Sequence, residues 1–276
     1  MGVGPTCRAA CPASAPACAR IRPSGMGGHS HWSTIKRQKG ASDAKRGQLF
    51  TKLSKEVTVA ARAGGGDPDM NPRLRLAVDK ARESNMPADT IKRAIERGAG
   101  AGEGADLVEA AFEGYGPGGV AIIMQVVTDN RNRTVSEIRT TLSRNGGTLG
   151  ESGSVAWQFD SVGFIALDVG DGDPEEVALA AIDAGAEDVR AEDDRVEVYT
   201  APTELDKVRR ALEEVGLSIA TAELSMLPKN SITLDDKSAS QVLRLLDILE
   251  DLDDVQKVFS NADFPDSVLM EYAAAQ

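Results

Sequence analysis

Phe164–Leu224, FIALDVGDGDPEEVALAAIDAGAEDVRAEDDRVEVYTAPTELDKVRRALEEVGLSIATAEL, is the stretch that decides how the chain folds. Phe164–Val169 has the pattern of a strand, Asp173–Ala184 of a helix, Asp188–Ala191 and Val196–Thr200 of strands, Thr203–Val215 of a helix and Leu217–Leu224 of a strand. That order, β-α-β-β-α-β, is the ferredoxin-like arrangement and is complete in itself. Residues 161–230 are therefore expected to close a domain without help from the rest of the chain.

On either side lies a pattern that is incomplete on its own. Val108–Glu113 and Val120–Thr128 read as strands joined by the glycine-rich turn at 114–119, followed by a helix capped by Asp129 or Asn130 and a strand over Ser154–Phe159. The turn joins strand to strand and has no Lys or Ser/Thr at Walker spacing, so it reads as a hairpin and not as a phosphate cradle. The missing helix and strand appear at the end of the chain, as Ser238–Leu252 and Val255–Ser260. Hence 101–160 and 231–276 are expected to form one α/β domain, with the ferredoxin-like domain inserted into it.

Residues 26–100 carry helical periodicity only. Ser42 or Asp43 can cap a helix that runs to about Ala63, with Leu49, Leu53, Val57 and Ala60 on one face and Lys45, Lys52, Lys55 and Arg62 on another. Arg46 falls on the apolar side, where it either snorkels or precedes the regular helix. A second helix, Pro72–Ser84, places Leu74, Ala77, Val78 and Ala81 inward, and a third runs from Pro87 to Gly98. The fold class is thus α+β: a small N-terminal helical bundle plus two α/β, ferredoxin-like domains, the third inserted into the second.

The net charge of -12 is unevenly spread over the 276 residues. Residues 26–100 hold 15 Lys and Arg against 8 Asp and Glu (+7), whereas residues 101–276 hold 13 against 35 (-22). A polyanion is repelled by the larger part and attracted by the smaller, over roughly a Debye length of about 8–10 Å. The cations are densest at Lys36, Arg37, Lys39, Lys45, Arg46, Lys52 and Lys55. Concentrated Lys and Arg with Trp32 beside them is what binding to a phosphate backbone requires, since each contact releases condensed counterions. Trp32 stacks on an exposed base or pins the arm to a domain. Lys80, Arg82, Lys92 and Arg93 either solvate their helices or join the contact.

Other chemistry is poorly supported. His29 and His31 leave a zinc site short of ligands, and Cys7, Cys11 and Cys18 lack a fourth partner, so no metal and no cofactor are expected. The clusters Glu192-Asp193-Asp194, Glu213-Glu214 and Glu250-Asp251-Leu252-Asp253-Asp254 read as solvated surface. There is no Ser-His-Asp, Cys-His or G-x-S-x-G arrangement, which points away from an enzyme and from a small-molecule substrate. No apolar run approaches the ~18–20 residues of a spanning helix. Residues 1–25, rich in Ala, Pro and Cys, are placed outside the fold as a disordered extension or a misassigned start before Met26; an organelle-type presequence is the other reading.

Four segments, MGGHSHWSTIKRQKG…DAKRGQLFTKL from Met26, NPRLRLAVDKARESNMPADTIKRAIERG from Asn71, FEGYGPGGVAIIMQVVTDNRNRTVSEIR from Phe112 and GGTLGESGSVAWQF from Gly146, resemble the YebC/PmpR family. That family also includes the mitochondrial translational activator of cytochrome oxidase subunit I. The resemblance covers Met26 to Gln276 and implies a helical N-terminal domain, two α/β domains, no enzymatic activity and a cytoplasmic or mitochondrial location. It implies either a DNA-binding transcriptional regulator or a ribosome-associated translation factor that binds ribosomal RNA and relieves stalling. The basic motif carries over onto Lys36, Arg37, Lys39, Lys45, Arg46, Lys52 and Lys55, while His31 and Gln38 stand where relatives often have basic residues. In TDNRNRT, Arg131 and Arg133 are not needed for capping and sit unfavourably near a helix N-terminus. They are expected to be a second contact for nucleic acid or an interdomain pair.

Overall fold

The computed structural model describes residues 20–21, 43–100, 106–170, 172–191 and 195–274. Contacts divide the chain into two compact units. One is built on residues 163–222, and the other on residues 25–162 with 223–276.

The first unit is a sheet of β5 (Phe159–Asp168), β6 (Asp188–Ala191), β7 (Arg195–Thr200) and β8 (Ser218–Pro228), with α5 (Pro174–Asp183) and α6 (Leu205–Glu214) between its strands. The strand order β6-β7-β5-β8 places the first and third strands centrally, as the ferredoxin-like reading requires. β5 and β7 pair Ile165 with Val198 and Leu167 with Val196, all buried, as are Val177, Ala181, Val208 and Leu212 of the two helices. Phe164 and Tyr199, on alternate positions, are buried too. Gly163 permits a close approach, since a Cβ there would lie 2.3 Å from the Thr200 hydroxyl oxygen. β1 (Arg20–Ile21) adds in parallel to the edge strand β6. Those two residues belong to the extension that the sequence places outside the fold.

In the second unit β2 (Val108–Tyr115) and β3 (Ala121–Thr128) form the hairpin, β4 (Thr148–Leu149) borders β2, and β10 (Val255–Ser260) borders β3, giving the order β10-β3-β2-β4. One face packs on α4 (Arg131–Arg144) and α7 (Asp236–Glu250), burying Ile122, Met124, Ile138, Leu142, Leu245 and Leu246 together. The other face buries Ala121, Ile123, Val155, Phe159 and Phe259. β3 is covered on both sides, which is why it reads as the near-continuous apolar run AIIMQVVT. The strand expected over Ser154–Phe159 is instead a loop with one 3-10 turn, Ala156–Gln158, leading into β5. The N–H groups of Val155 and Ala156 are turned toward a carboxylate described below, and those of Ser154 and Gln158 bond to carbonyls within the loop, so they do not join a ladder. A short pair of β9 (Ile232–Thr233) with β11 (Ala262–Asp263), and α8 (Asp266–Ala274), complete the chain.

The helical domain packs α1 (Asp43–Gly64), α2 (Pro72–Glu83) and α3 (Ala88–Gly98) around Leu53, Val57, Leu74, Val78 and Ile91. Leu49, expected inward, is 39% exposed, and the neighbouring Phe50 is the side chain that packs on the core at that level of α1. Asn71 caps α2 by accepting from the Leu74 N–H, while its Nδ2 donates to the carbonyls of Ala60 and Gly65, tying the α1–α2 turn into one unit. Gly98 lets α3 cross α1 closely, where any Cβ would come within 2.3 Å of the Thr58 carbonyl oxygen.

Candidate nucleic-acid interface

Trp32, Lys36, Arg37 and Lys39 lie outside the described residues, as do His29, His31 and the three cysteines. Lys45 is in the first turn of α1, and Arg46, one residue on, is exposed. Lys52 and Lys55 point elsewhere. The Lys52 ammonium donates to the carbonyl oxygen of Glu250, and Lys55 donates to the carbonyl of Asp253 at 3.0 Å and pairs with Asp254 at 2.7 Å. Spaced three apart, they present both ammonium groups to the end of α7 and the start of β10. They dock the helical domain onto the sheet of the second unit.

Asp254 is the centre of this junction. The sequence reading placed it in a solvated acidic run, yet it is only 5% exposed. Oδ1 takes the Lys55 bond; Oδ2 accepts from the hydroxyls of Thr128 at 3.0 Å and Thr134 at 2.7 Å and from Arg133 Nη2 at 3.2 Å. Burial pushes the carboxyl up, but the bonds from Lys55, Thr134 and Arg133 outweigh it and bring the pKa down to about 2. The neighbours in the run, Asp251 and Asp253, are exposed as expected. Only the residue that enters β10 turns inward, and a run of acids in the sequence does not show which member that is.

Arg133 therefore has intramolecular work. Besides Asp254 it pairs with Asp129 at 2.6 Å, and these two carboxylates hold its guanidinium above its ordinary pKa. Asn130 is the cap of α4, accepting from the Arg133 N–H at 3.2 Å. Arg131 is exposed at the first position of α4, its guanidinium 5.8 Å from the centre of the Phe112 ring. Further links run from the helical domain: Arg73 to both oxygens of Glu109, and Lys80 to Glu223 at 3.2 Å, a carboxylate shared with Lys257 at 3.1 Å. Arg82, Lys92, Arg93 and Arg97 are exposed; among them Arg97 also donates to the Ser54 hydroxyl at 3.0 Å. The head thus has cations committed to the sheet and cations facing solvent.

Sequence reasoning missed Glu113. Its carboxylate is 6% exposed and accepts the backbone N–H of Gly153 at 2.7 Å, Val155 at 2.7 Å and Ala156 at 2.8 Å. Burial pushes this carboxyl up, and the three N–H donors more than reverse it, leaving it below its usual range. The loop so pinned turns Trp157 outward, 65% exposed, with its indole N–H on the Ser154 carbonyl. The available signal was an acid inside an otherwise apolar strand, VEAAFEGY. Among the described residues no group of three or more His, Cys, Asp or Glu is placed to hold a metal ion, and no helix is long and apolar enough to cross a membrane.

Residues 30–101 match the sequence family described as the TACO1/YebC protein N-terminal domain, and residues 107–262 match the TACO1/YebC second and third domain. The chain is 53% identical over 247 residues to a protein of Dehalococcoides mccartyi named as a probable transcriptional regulatory protein, covering 90% of this chain and 98% of that one. A relative of the same name from Herpetosiphon aurantiacus is 55% identical over 249 residues, covering 90% and 99%. The crystal structure of a conserved hypothetical protein from Aquifex aeolicus superposes with a TM-score of 0.79 at 44% identity, over 85% of this chain and 97% of that one. The chain belongs to the TACO1/YebC family.

Proposed function

We propose that this protein is a non-enzymatic, nucleic-acid-binding regulator of gene expression, a DNA-binding transcriptional regulator that grips the phosphate backbone through its basic helical domain. The observation that carries this reading is the separation of charge, +7 over residues 26–100 against -22 over residues 101–276. The name borne by its relatives, probable transcriptional regulatory protein, supports it. In this reading the contact residues are Trp32, Lys36, Arg37, Lys39, Lys45 and Arg46, with the exposed cations of α2 and α3 beside them. Lys52, Lys55 and Arg133 serve to hold the head on the sheet.

A second reading, a translation factor on ribosomal RNA, is favoured by the TACO1 half of the family description, given the resemblance to the mitochondrial translational activator. It also suits a head that reads shape, as structured RNA is read. The two separate in a salt series of the full chain against duplex DNA and against purified ribosomes. Tight, salt-resistant co-sedimentation with ribosomes beside weak duplex binding of steep salt slope selects translation; the reverse selects transcription. Neutralising Lys36, Arg37, Lys39, Lys45 and Arg46 together is expected to abolish attachment to the working target, and attachment that persists to both targets defeats both readings.

A further inference from the structure

We propose that the exposed face of α4 (Arg131–Arg144) is a second phosphate-backbone contact, carried by Arg139 and Arg144, for the same nucleic acid that the helical domain holds; this rests on the functional reading above. The composition of this helix runs against its surroundings. Residues 101–276 contain 13 Lys and Arg against 35 Asp and Glu, yet 4 of those 13 cations and only one of the acids, Glu137, fall within α4. Arg131 and Arg133 are engaged by Phe112 and by Asp129 and Asp254. Arg139 and Arg144 are exposed and make no ion pair or hydrogen bond among the described residues.

At about 100° per residue, Ser136, Thr140 and Ser143 project between Arg139 and Arg144. All five are exposed or at the solvent face, while Thr134, Ile138 and Leu142 form the buried stripe. Guanidinium groups flanking the hydroxyls of Ser136 and Ser143 are donors that phosphate and sugar oxygens accept from, while the Thr140 hydroxyl donates to the Ser136 carbonyl at 2.8 Å. The face has no exposed apolar or aromatic residue, so it lacks the anchor a protein partner would need. It also adjoins the head: Asp254 receives Lys55 of α1 on one oxygen and Arg133 of α4 on the other, bringing the start of α4 against the basic domain. One polymer can therefore meet both surfaces, and the two contacts reinforce each other by effective concentration.

The test is Arg139→Gln with Arg144→Gln in the full chain, titrated with a short duplex DNA, a short duplex RNA and ribosomes over a range of salt. Loss of two phosphate contacts is expected to make the log–log salt slope shallower by about 2 and to weaken binding at least about tenfold at 0.1 M salt, with thermal unfolding unchanged. Glu137→Lys is expected to tighten the same binding, a gain that a merely structural role would not produce. An unchanged slope in the Arg pair variant, while the five-residue head variant loses binding, overturns this inference and leaves the functional reading standing. Unchanged binding in both variants overturns the functional reading and this inference with it. Equal competition by poly-glutamate of matched charge also overturns it, because the face would then be a generic anion exchanger.

Discussion

The second unit buries two carboxylates, Glu113 and Asp254, at nearly the same exposure and satisfies them in opposite ways. Glu113 is met by three uncharged backbone N–H groups of one loop, Gly153, Val155 and Ala156. Asp254 is met by side chains from three segments, two of them charged: Lys55 from the helical domain, Arg133 and Thr134 from α4, and Thr128 from β3. The first arrangement shapes a loop, and the second joins domains. Charges at Asp254 come from long, partly exposed side chains that can be drawn away by salt or by a competing anion. The N–H groups around Glu113 are fixed in the backbone of one short loop, and that of Val155 is buried.

The comparison is broken most directly at Glu113. Glu113→Ala leaves one buried donor, the Val155 N–H, and two part-buried ones, those of Gly153 and Ala156, without their acceptor. It is expected to cost about 2–4 kcal/mol in chemical denaturation, at roughly 1–3 kcal/mol for the buried group and less for the two that water can reach. Trp157 emission should report the loosened loop at denaturant concentrations below the global transition. A cost under about 1 kcal/mol would mean that the loop is held by its apolar contacts instead.

Asp254→Asn comes next, at about 2 kcal/mol near neutral pH. The sign follows from the lowered folded pKa of about 2 against the ordinary 3.8: the stabilisation is present above pH ~4 and is lost as pH falls toward ~2, by roughly 2 kcal/mol in all. Wild type should therefore lose stability across that window, and the variant should lose much less. Curves of denaturation midpoint against pH that run parallel for the two proteins would contradict the ion-paired state of Asp254. The smallest effect is expected for Lys55→Met. Its cost of about 1 kcal/mol in dilute buffer should shrink by a few tenths in 1 M salt, whereas the cost of Glu113→Ala should not change. Equal salt responses would erase the distinction between the two sites.

Most of the fold was legible in the sequence. The stripe Leu74, Ala77, Val78, Ala81 and the short apolar strand patterns at Phe164–Val169 and Val196–Thr200 report packing that each element does locally. The long basic and apolar motifs also identified the family. The strand wrongly expected at Ser154–Phe159 shows where local pattern stops: its backbone partner is Glu113, some 40 residues away, and no periodicity encodes that. Lys52 and Lys55 show the same at the site. Their helical face was right, but whether a cationic face meets phosphate or a carboxylate depends on which surface tertiary structure lays over it. Arg131 and Arg133 were marked because two Arg at a helix N-terminus need an offset; Asp254, 121 residues from Arg133, supplies part of it.

The interruption of the second unit by residues 163–222 has a consequence for how the chain comes off the ribosome. β3 emerges with one edge bare and its apolar face uncovered, because β10 and the Leu245, Leu246 and Leu249 ridge of α7 are made some 120 residues later. The inserted unit can be finished first, so the order of completion along the nascent chain differs from the order of the sequence. Truncation at the C-terminus, even by the length of β10 and α8, should thus leave the inserted unit folded and the surrounding unit open.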